Sequence, residues 1–214
     1  MGSTTKVRIA ILGSGTGSNA KALCEAAKSS ESAFSVALVL TTSSAAGMCE
    51  VARGENVDLE VIPASVKGEE FSTKLCSLLE QYRIDVLVLA GFMRLVSTKV
   101  LTYMSGHVVN IHPALLPEFG GQGMYGLHVH EAVLASGRTE TGATVHVVTE
   151  QYDEGAMIGQ TKVPVFPEDS PSSLQQRVKE TEHKLYPVAL NHYIRENFQD
   201  IVGSVPIAGI SAVS

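Results

Sequence analysis

An amide and an imidazole stand two residues apart in Asn110-Ile111-His112-Pro113, directly after the apolar pair Val108-Val109. In an extended segment, residues i and i+2 project to the same side, so Asn110 and His112 can converge on one small group. Pro113 disfavours helical backbone at His112 and keeps the segment extended. An amide donor beside an imidazole suits a carbonyl whose oxygen gains negative charge while a proton is moved. The chemistry implied is acyl or formyl transfer, provided the rest of the chain holds two substrates and supplies a third catalytic group. A lone histidine is more often structural than catalytic. Its place at a strand end, between Asn110 and a rigid proline, sets His112 apart among the seven histidines.

Such a pair needs a sheet to carry it. Apolar runs that read as strands alternate with helical patterns, the signature of βαβ units and a parallel sheet. Strands are expected at Val7–Leu12, Phe34–Leu40, Leu59–Ile62, Asp85–Ala90, Val108–Ile111, Ala143–Thr149 and Met157–Val165, the last a candidate to run antiparallel. Helices are expected from Ser18 to about Lys28, Ala45 to about Glu55, Glu69 to Tyr82, Ser97 to Met104, His128 to Ala135, and Ser172 to about Glu196 with a break open before Pro187. The predicted fold class is α/β: a single doubly wound, mostly parallel, Rossmann-like sheet with helices on both faces. One domain fills residues 1–214, with a core at about 7–198 and a small apolar tail at 199–214 that shows little helical period. In such sheets ligands bind beyond the carboxyl ends of the strands, where Asn110 and His112 lie.

The composition narrows the classes. A chain of 214 residues with 44% hydrophobic content can bury a substantial core, and its net charge of −6 carries no basic block, which argues against nucleic acid. Runs such as Val86-Leu87-Val88-Leu89-Ala90 are too short to span a membrane, and Met1–Lys6 lacks a signal-peptide core, so a cytoplasmic location and no membrane partner are expected. Cys24, Cys49 and Cys76 are odd in number and widely spaced, which fits reduced thiols rather than disulfides or a zinc site.

Other motifs gain meaning from position. Gly13-Ser14-Gly15-Thr16-Gly17-Ser18-Asn19 joins the first strand to the first helix. Free amides and the helix dipole there suit an anion, although an ordinary tight turn would use glycine too. A G-x-G-x-x-G fingerprint would need glycine at Ser18, and Leu40-Thr41-Thr42-Ser43 lacks the acid that holds a dinucleotide ribose, so a phosphate monoester is favoured over NAD. Phe92, Met93, Leu95 and Val96 after the most apolar strand are able to wall an aromatic ligand, but periodicity alone reads them as a core-capped connection. His128 and His130 do not share a helix face, which disfavours a metal, and His146 is read as a core or supporting residue. Asp153 is either a solvated turn carboxylate or a partner that orients His112. Glu182 is by spacing an ordinary helix residue.

Together these motifs resemble the folate-dependent formyltransferases over roughly Val7 to Phe198. The resemblance rests on Gly15-x-Gly17-Ser18-Asn19, Leu89-Ala90-Gly91-Phe92-Met93-Arg94, Asn110-Ile111-His112-Pro113-x-Leu115-Leu116-Pro117, Gly142-x-Thr144-Val145-His146, Asp153-x-Gly155 and Glu182-His183-x-x-Tyr186-Pro187, in that order. It implies transfer of a formyl group from the cosubstrate 10-formyltetrahydrofolate to the amine of glycinamide ribonucleotide in purine biosynthesis, without a metal. By the same resemblance, Gly17, Ser18 and Asn19 hold the phosphate and Glu182 the ribose or glycinamide. Met93, Arg94, Leu95, Val96 and Asn110 line the pterin site, and Val148, Thr149 and the loop through Asp153 close over it. Asn110, protonated His112 and Asp153 form the catalytic set. A cis Leu116-Pro117 bond is implied, and a homodimer is left open.

Two departures accompany the resemblance. The loop Glu118–Gly126 is longer than in shorter members and is expected to reshape the substrate entrance but not the chemistry. A family arginine falls near Gly68, with Lys67 as its candidate replacement. The nearest rival is hydrolysis of the same folate, but such hydrolases carry an extra N-terminal domain that a first strand at Val7 leaves no room for. Methionyl-tRNA formylation would call for a C-terminal RNA-binding domain and a basic surface. A nicotinamide oxidoreductase and a non-catalytic nucleotide-binding module are the rivals from other classes.

Overall fold

Ile9 and Ile11 point to one face of strand β1 (Val7–Gly13), Ala10 and Leu12 to the other, and all four are buried. A strand buried on both faces requires cover from both sides. The structure, a computed structural model that describes residues 5–203, supplies that cover with helices. The strands β2 (Phe34–Thr41), β3 (Leu59–Val61), β4 (Val86–Leu89), β5 (Val108–His112), β6 (Glu140–Val147) and β7 (Met157–Pro164) join β1 in one sheet of order β3-β2-β1-β4-β5-β6-β7. The connecting helices are α1 (Ser18–Ala27), α2 (Gly47–Glu55), α3 (Gly68–Gln81), α4 (Thr98–Tyr103), α5 (Leu127–Ala135), α6 (Pro171–Asn197) and α7 (Gln199–Val202).

Leu23 of α1, Met48 of α2 and Tyr186 and Leu190 of α6 pack on Ile9, Ile11, Val86 and Val88. Phe71, Leu75 and Leu79 of α3 and Val100 of α4 pack on Ala10, Leu12, Leu87 and Leu89. The sheet is therefore doubly wound, as the apolar pattern predicts. Three details differ. The strand that runs against the others is β6, and β7 pairs antiparallel to β6 and so returns to the common direction. The short connection between Val147 and Met157 accounts for this, because neighbouring strands joined without a crossover must be antiparallel. The break considered before Pro187 does not occur, since α6 is continuous through it. Tyr186, Ala189 and Leu190 are buried around Pro187. Their packing outweighs the roughly 3 kcal/mol that an interior proline costs. The start of the tail forms the short helix α7, while residues 204–214 lie outside the described part.

Tyr186 has a second role in the frame. Its fully buried hydroxyl is shared between Leu89 O at 2.8 Å and Val109 O at 3.1 Å, tying the carboxyl end of β4 to the first half of β5. Chain order reverses between β1 and β4, and the crevice beyond such a switch point is where doubly wound sheets take ligands.

Candidate active site

The turn from β1 into α1 is built for close approach. Gly17, the residue before α1, has φ of 82°, a left-handed conformation that glycine adopts without strain. No side chain caps the helix, so its first-turn N–H groups are left for a ligand. They open into a cavity of about 570 Å³ lined by Gly17, Ser18 and Asn19. Asn19 Nδ2 also donates to Glu182 Oε2 at 2.9 Å, joining α1 to α6. Glu182 is 6% exposed. Burial drives its carboxyl up to about 7, with Asn19 and Lys179 only partly offsetting that rise.

The segment after β4 forms the opposite wall of the same cavity. Met93, Arg94, Leu95 and Val96 all line it; Met93 and Leu95 are exposed and Val96 is buried. The Arg94 guanidinium lies 5.0 Å from the Phe71 ring centroid and donates to Val66 O at 3.2 Å, so its charged end is directed away from the centre. Beyond it lies a second cavity of about 580 Å³, whose lining includes Lys67, Phe71 and Phe92. Ser14 Oγ donates to Gly91 O at 3.0 Å, pinning the loop after β1 to the loop after β4.

Between these walls lies the polar centre. β5 carries Asn110 and His112, and antiparallel pairing sets Asn110 opposite His146 of β6. His146 Nδ1 lies 3.0 Å from Val147 O, a pure acceptor, so Nδ1 holds the proton. In the neutral ring Nε2 then accepts from Asn110 Nδ2 at 3.1 Å. That contact fixes the orientation of the amide and leaves its second N–H for a ligand oxygen. By the same reasoning His112 Nε2, 2.8 Å from Phe119 O, carries a proton, and Nδ1 faces Asp153 Oδ2 at 3.5 Å.

Asp153 is the hub. Its Oδ2 accepts from Gly121 N at 2.9 Å, and its Oδ1 lies 3.4 Å from His146 Nε2. Burial alone would raise this carboxyl, but His146 and His112, when their facing nitrogens carry a proton, and the Gly121 N–H hold it below its ordinary value. Burial pushes His112 down, more than Asp153 and Phe119 raise it. The resting imidazole is therefore neutral at neutral pH. The loop Glu118–Gly126 also does more than shape an entrance, because Phe119 and Gly121 bond directly to His112 and Asp153. The Leu116-Pro117 bond is cis.

With that geometry established, comparison with known proteins identifies the scaffold. The family model described as formyl transferase matches residues 7–190. The chain belongs to that family. This formyltransferase is 36% identical over 189 residues to phosphoribosylglycinamide formyltransferase of Escherichia coli (strain K12), covering 87% of each chain. It is 34% identical over 203 residues to the chloroplastic phosphoribosylglycinamide formyltransferase of Arabidopsis thaliana, covering 94% of this chain and 70% of that one. The match to trifunctional purine biosynthetic protein adenosine-3 of Homo sapiens, 38% identical over 187 residues, covers 86% of this chain but only 18% of the longer protein. Among solved structures, glycinamide ribonucleotide transformylase 1 from Symbiobacterium toebii superposes with a TM-score of 0.84 at 34% identity, covering 89% of both chains.

One residue of the formyltransferase site departs from expectation, and another gains a definite role. Val148 lines the cavity, but Thr149 is not among its lining residues; the Thr149 hydroxyl donates to Gln151 O at 3.1 Å, closing a local turn after β6 ends. His146 emerges as the partner of Asn110, with the same ring nitrogen 3.4 Å from Asp153 Oδ1, which only the β5–β6 register makes visible. His128 is exposed, whereas His130 is 1% exposed and borders the cavity. Burial, then the neighbouring Lys179 and His112, depress His130 to about 4. An unfolded histidine near 6.5 binds protons that the folded one refuses, so stability should fall as pH is lowered from about 6.5 to 4. A His130→Gln variant, followed by urea unfolding across that range, should show a flatter decline; an unchanged decline would remove His130 from the effect. The thiol of Cys24 is pushed by burial up to about 11, too high for a nucleophile at neutral pH.

Proposed function

We infer that this formyltransferase moves the formyl group of 10-formyltetrahydrofolate onto the amine of glycinamide ribonucleotide. One observation carries the reading: a single cavity runs from the free N–H groups of α1, past Asn110, His112 and Asp153, to Met93–Val96. Gly17, Ser18 and Asn19 take the phosphate, and Glu182 contacts the ribose side. Met93, Arg94, Leu95 and Val96 receive the pterin, with Val148 and the Asp153 loop closing over it. The geometry needs no metal in any step.

The amine lone pair attacks the formyl carbon, and the carbonyl oxygen takes the negative charge. The free N–H of Asn110 donates to that oxygen. His112 Nδ1 takes the proton lost by the amine, because Nε2 is already bonded to Phe119 O. The imidazolium so formed is stabilised by Asp153 and passes the proton to N10 of the folate as the carbon–N10 bond breaks. Placing both substrates in one cavity supplies much of the remaining acceleration.

The test is purified protein with 10-formyltetrahydrofolate, with and without glycinamide ribonucleotide. Folate release should require the ribonucleotide. Equal release in its absence would replace transfer with hydrolysis.

A further inference from the structure

The pair Asn19–Glu182 carries a consequence beyond ligand contact. Asn19 Nδ2 donates to Glu182 Oε2, but the other end of the same amide, Asn19 Oδ1, is buried without any partner. An orphaned amide oxygen beside a carboxylate is a poor arrangement, since both are acceptors. A carboxylic acid in that place repairs it. The amide N–H and C=O can meet the acid C=O and O–H edge to edge, so that all groups are paired. We propose that Asn19 and Glu182 form an acid–amide latch between the phosphate loop and α6, and that the ribonucleotide binds to the latch with Glu182 protonated. This rests on the assignment of the ribonucleotide to this end of the cavity.

The surroundings agree. Glu182 lies almost wholly out of solvent, and its carboxyl is raised to about 7. From α1 it faces the neutral Asn19. On its own helix it faces Lys179, one turn before, and the phenol of Tyr186, whose hydroxyl is committed to Leu89 and Val109. From α5, His130 stands near Lys179 and is uncharged at neutral pH. A phosphate in the adjoining loop adds negative charge, which favours the protonated acid further. Binding should therefore take up a proton above pH 7.

The experiment compares wild type with Glu182→Gln, which keeps the amide-sized shape and a permanent donor. Affinity for glycinamide ribonucleotide is measured calorimetrically from pH 6 to 8, in buffers of differing ionisation enthalpy. The phosphate's own ionisation is common to both proteins, so the difference between them isolates Glu182. The wild type should lose about tenfold more affinity than the variant across this range and take up about one proton at pH 8 that the variant does not. At pH 8 the variant should bind more tightly than wild type. Equal pH slopes, or weaker binding by the variant at every pH, would overturn the latch.

A second arm does not depend on the ribonucleotide. A carboxyl whose folded value, about 7, lies above its ordinary 4.5 loses stability as pH rises through that window. Glu182→Gln should therefore raise the melting temperature at pH 8 more than at pH 5. If the ribonucleotide fails to bind at any pH, the substrate reading fails, and the melting comparison alone decides the latch: a rise confined to pH 8 supports it, and none overturns it.

Discussion

Asp153→Asn is expected to lower kcat by about 10²–10⁴-fold while the protein stays folded. Asparagine can still accept the Gly121 N–H, so the loop through Phe119 keeps its anchor. What disappears is the negative charge beside His112 Nδ1 and His146 Nε2. The resting imidazole is already pushed towards neutrality by burial, and Asp153 is the largest influence that opposes this. Without it, His112 becomes a weaker base, and the imidazolium formed during transfer has no counter-charge. The pH profile should report the same change. The acid limb of kcat/KM, set by the need for neutral His112, should move to lower pH in the variant. KM for either substrate should change little, because Asp153 acts on the transferred proton. A variant within threefold of wild-type kcat would take Asp153 out of the chemistry.

Thr144→Val is expected to destabilise the protein by about 2–4 kcal/mol, because two or more buried polar groups lose their partner at roughly 1–3 kcal/mol each. The Thr144 hydroxyl donates to Ala114 O at 2.7 Å and accepts from Leu116 N at 3.1 Å and Gln160 Nε2 at 2.8 Å. It thus fastens residues 114–116 to β6, immediately after His112. Valine has the same shape, so no cavity forms and the loss is purely one of hydrogen bonding. Urea unfolding should show a lower midpoint at unchanged slope. A midpoint equal to that of wild type would mean that water replaces the hydroxyl.

The fold was largely legible because its signals are local. The near-continuous apolar run of Val7–Gly13, broken only by Arg8, and the four buried residues of β4 declare a sheet covered on both faces. Gly17 and Pro113 announce their turns through backbone restriction alone. The candidate site was legible only in pieces. Nothing in the spacing of residues 112 and 153 brings His112 to Asp153, and the link passes through the direction of β6. The same direction sets His146 against Asn110, which gives the expected core or supporting residue a partner that spacing alone does not name. Thr149 was misplaced because the strand ends at Val147, and the following turn claims its hydroxyl. Phe119 and Gly121 act through backbone atoms, which every residue type carries and no sequence motif advertises. Glu182 looks like any charged helix residue until the helix is placed against α1.

The hydrogen bond from Ser14 to Gly91 ties two loops that leave adjacent parallel strands, β1 and β4. Neighbouring strands lie about 4.8 Å apart, a spacing that backbone hydrogen bonding keeps nearly constant. The two halves of the cavity therefore share a rigid gauge. Nucleophile and formyl carbon must approach to about 3–3.5 Å, a tolerance smaller than one strand spacing. A bulkier donor has to find room at the exposed edge near Met93 and Leu95, because the inner spacing has no slack to lend. Variants that loosen Ser14 should then be felt by both substrates at once, as lost alignment in their joint complex rather than as weaker binding of either alone.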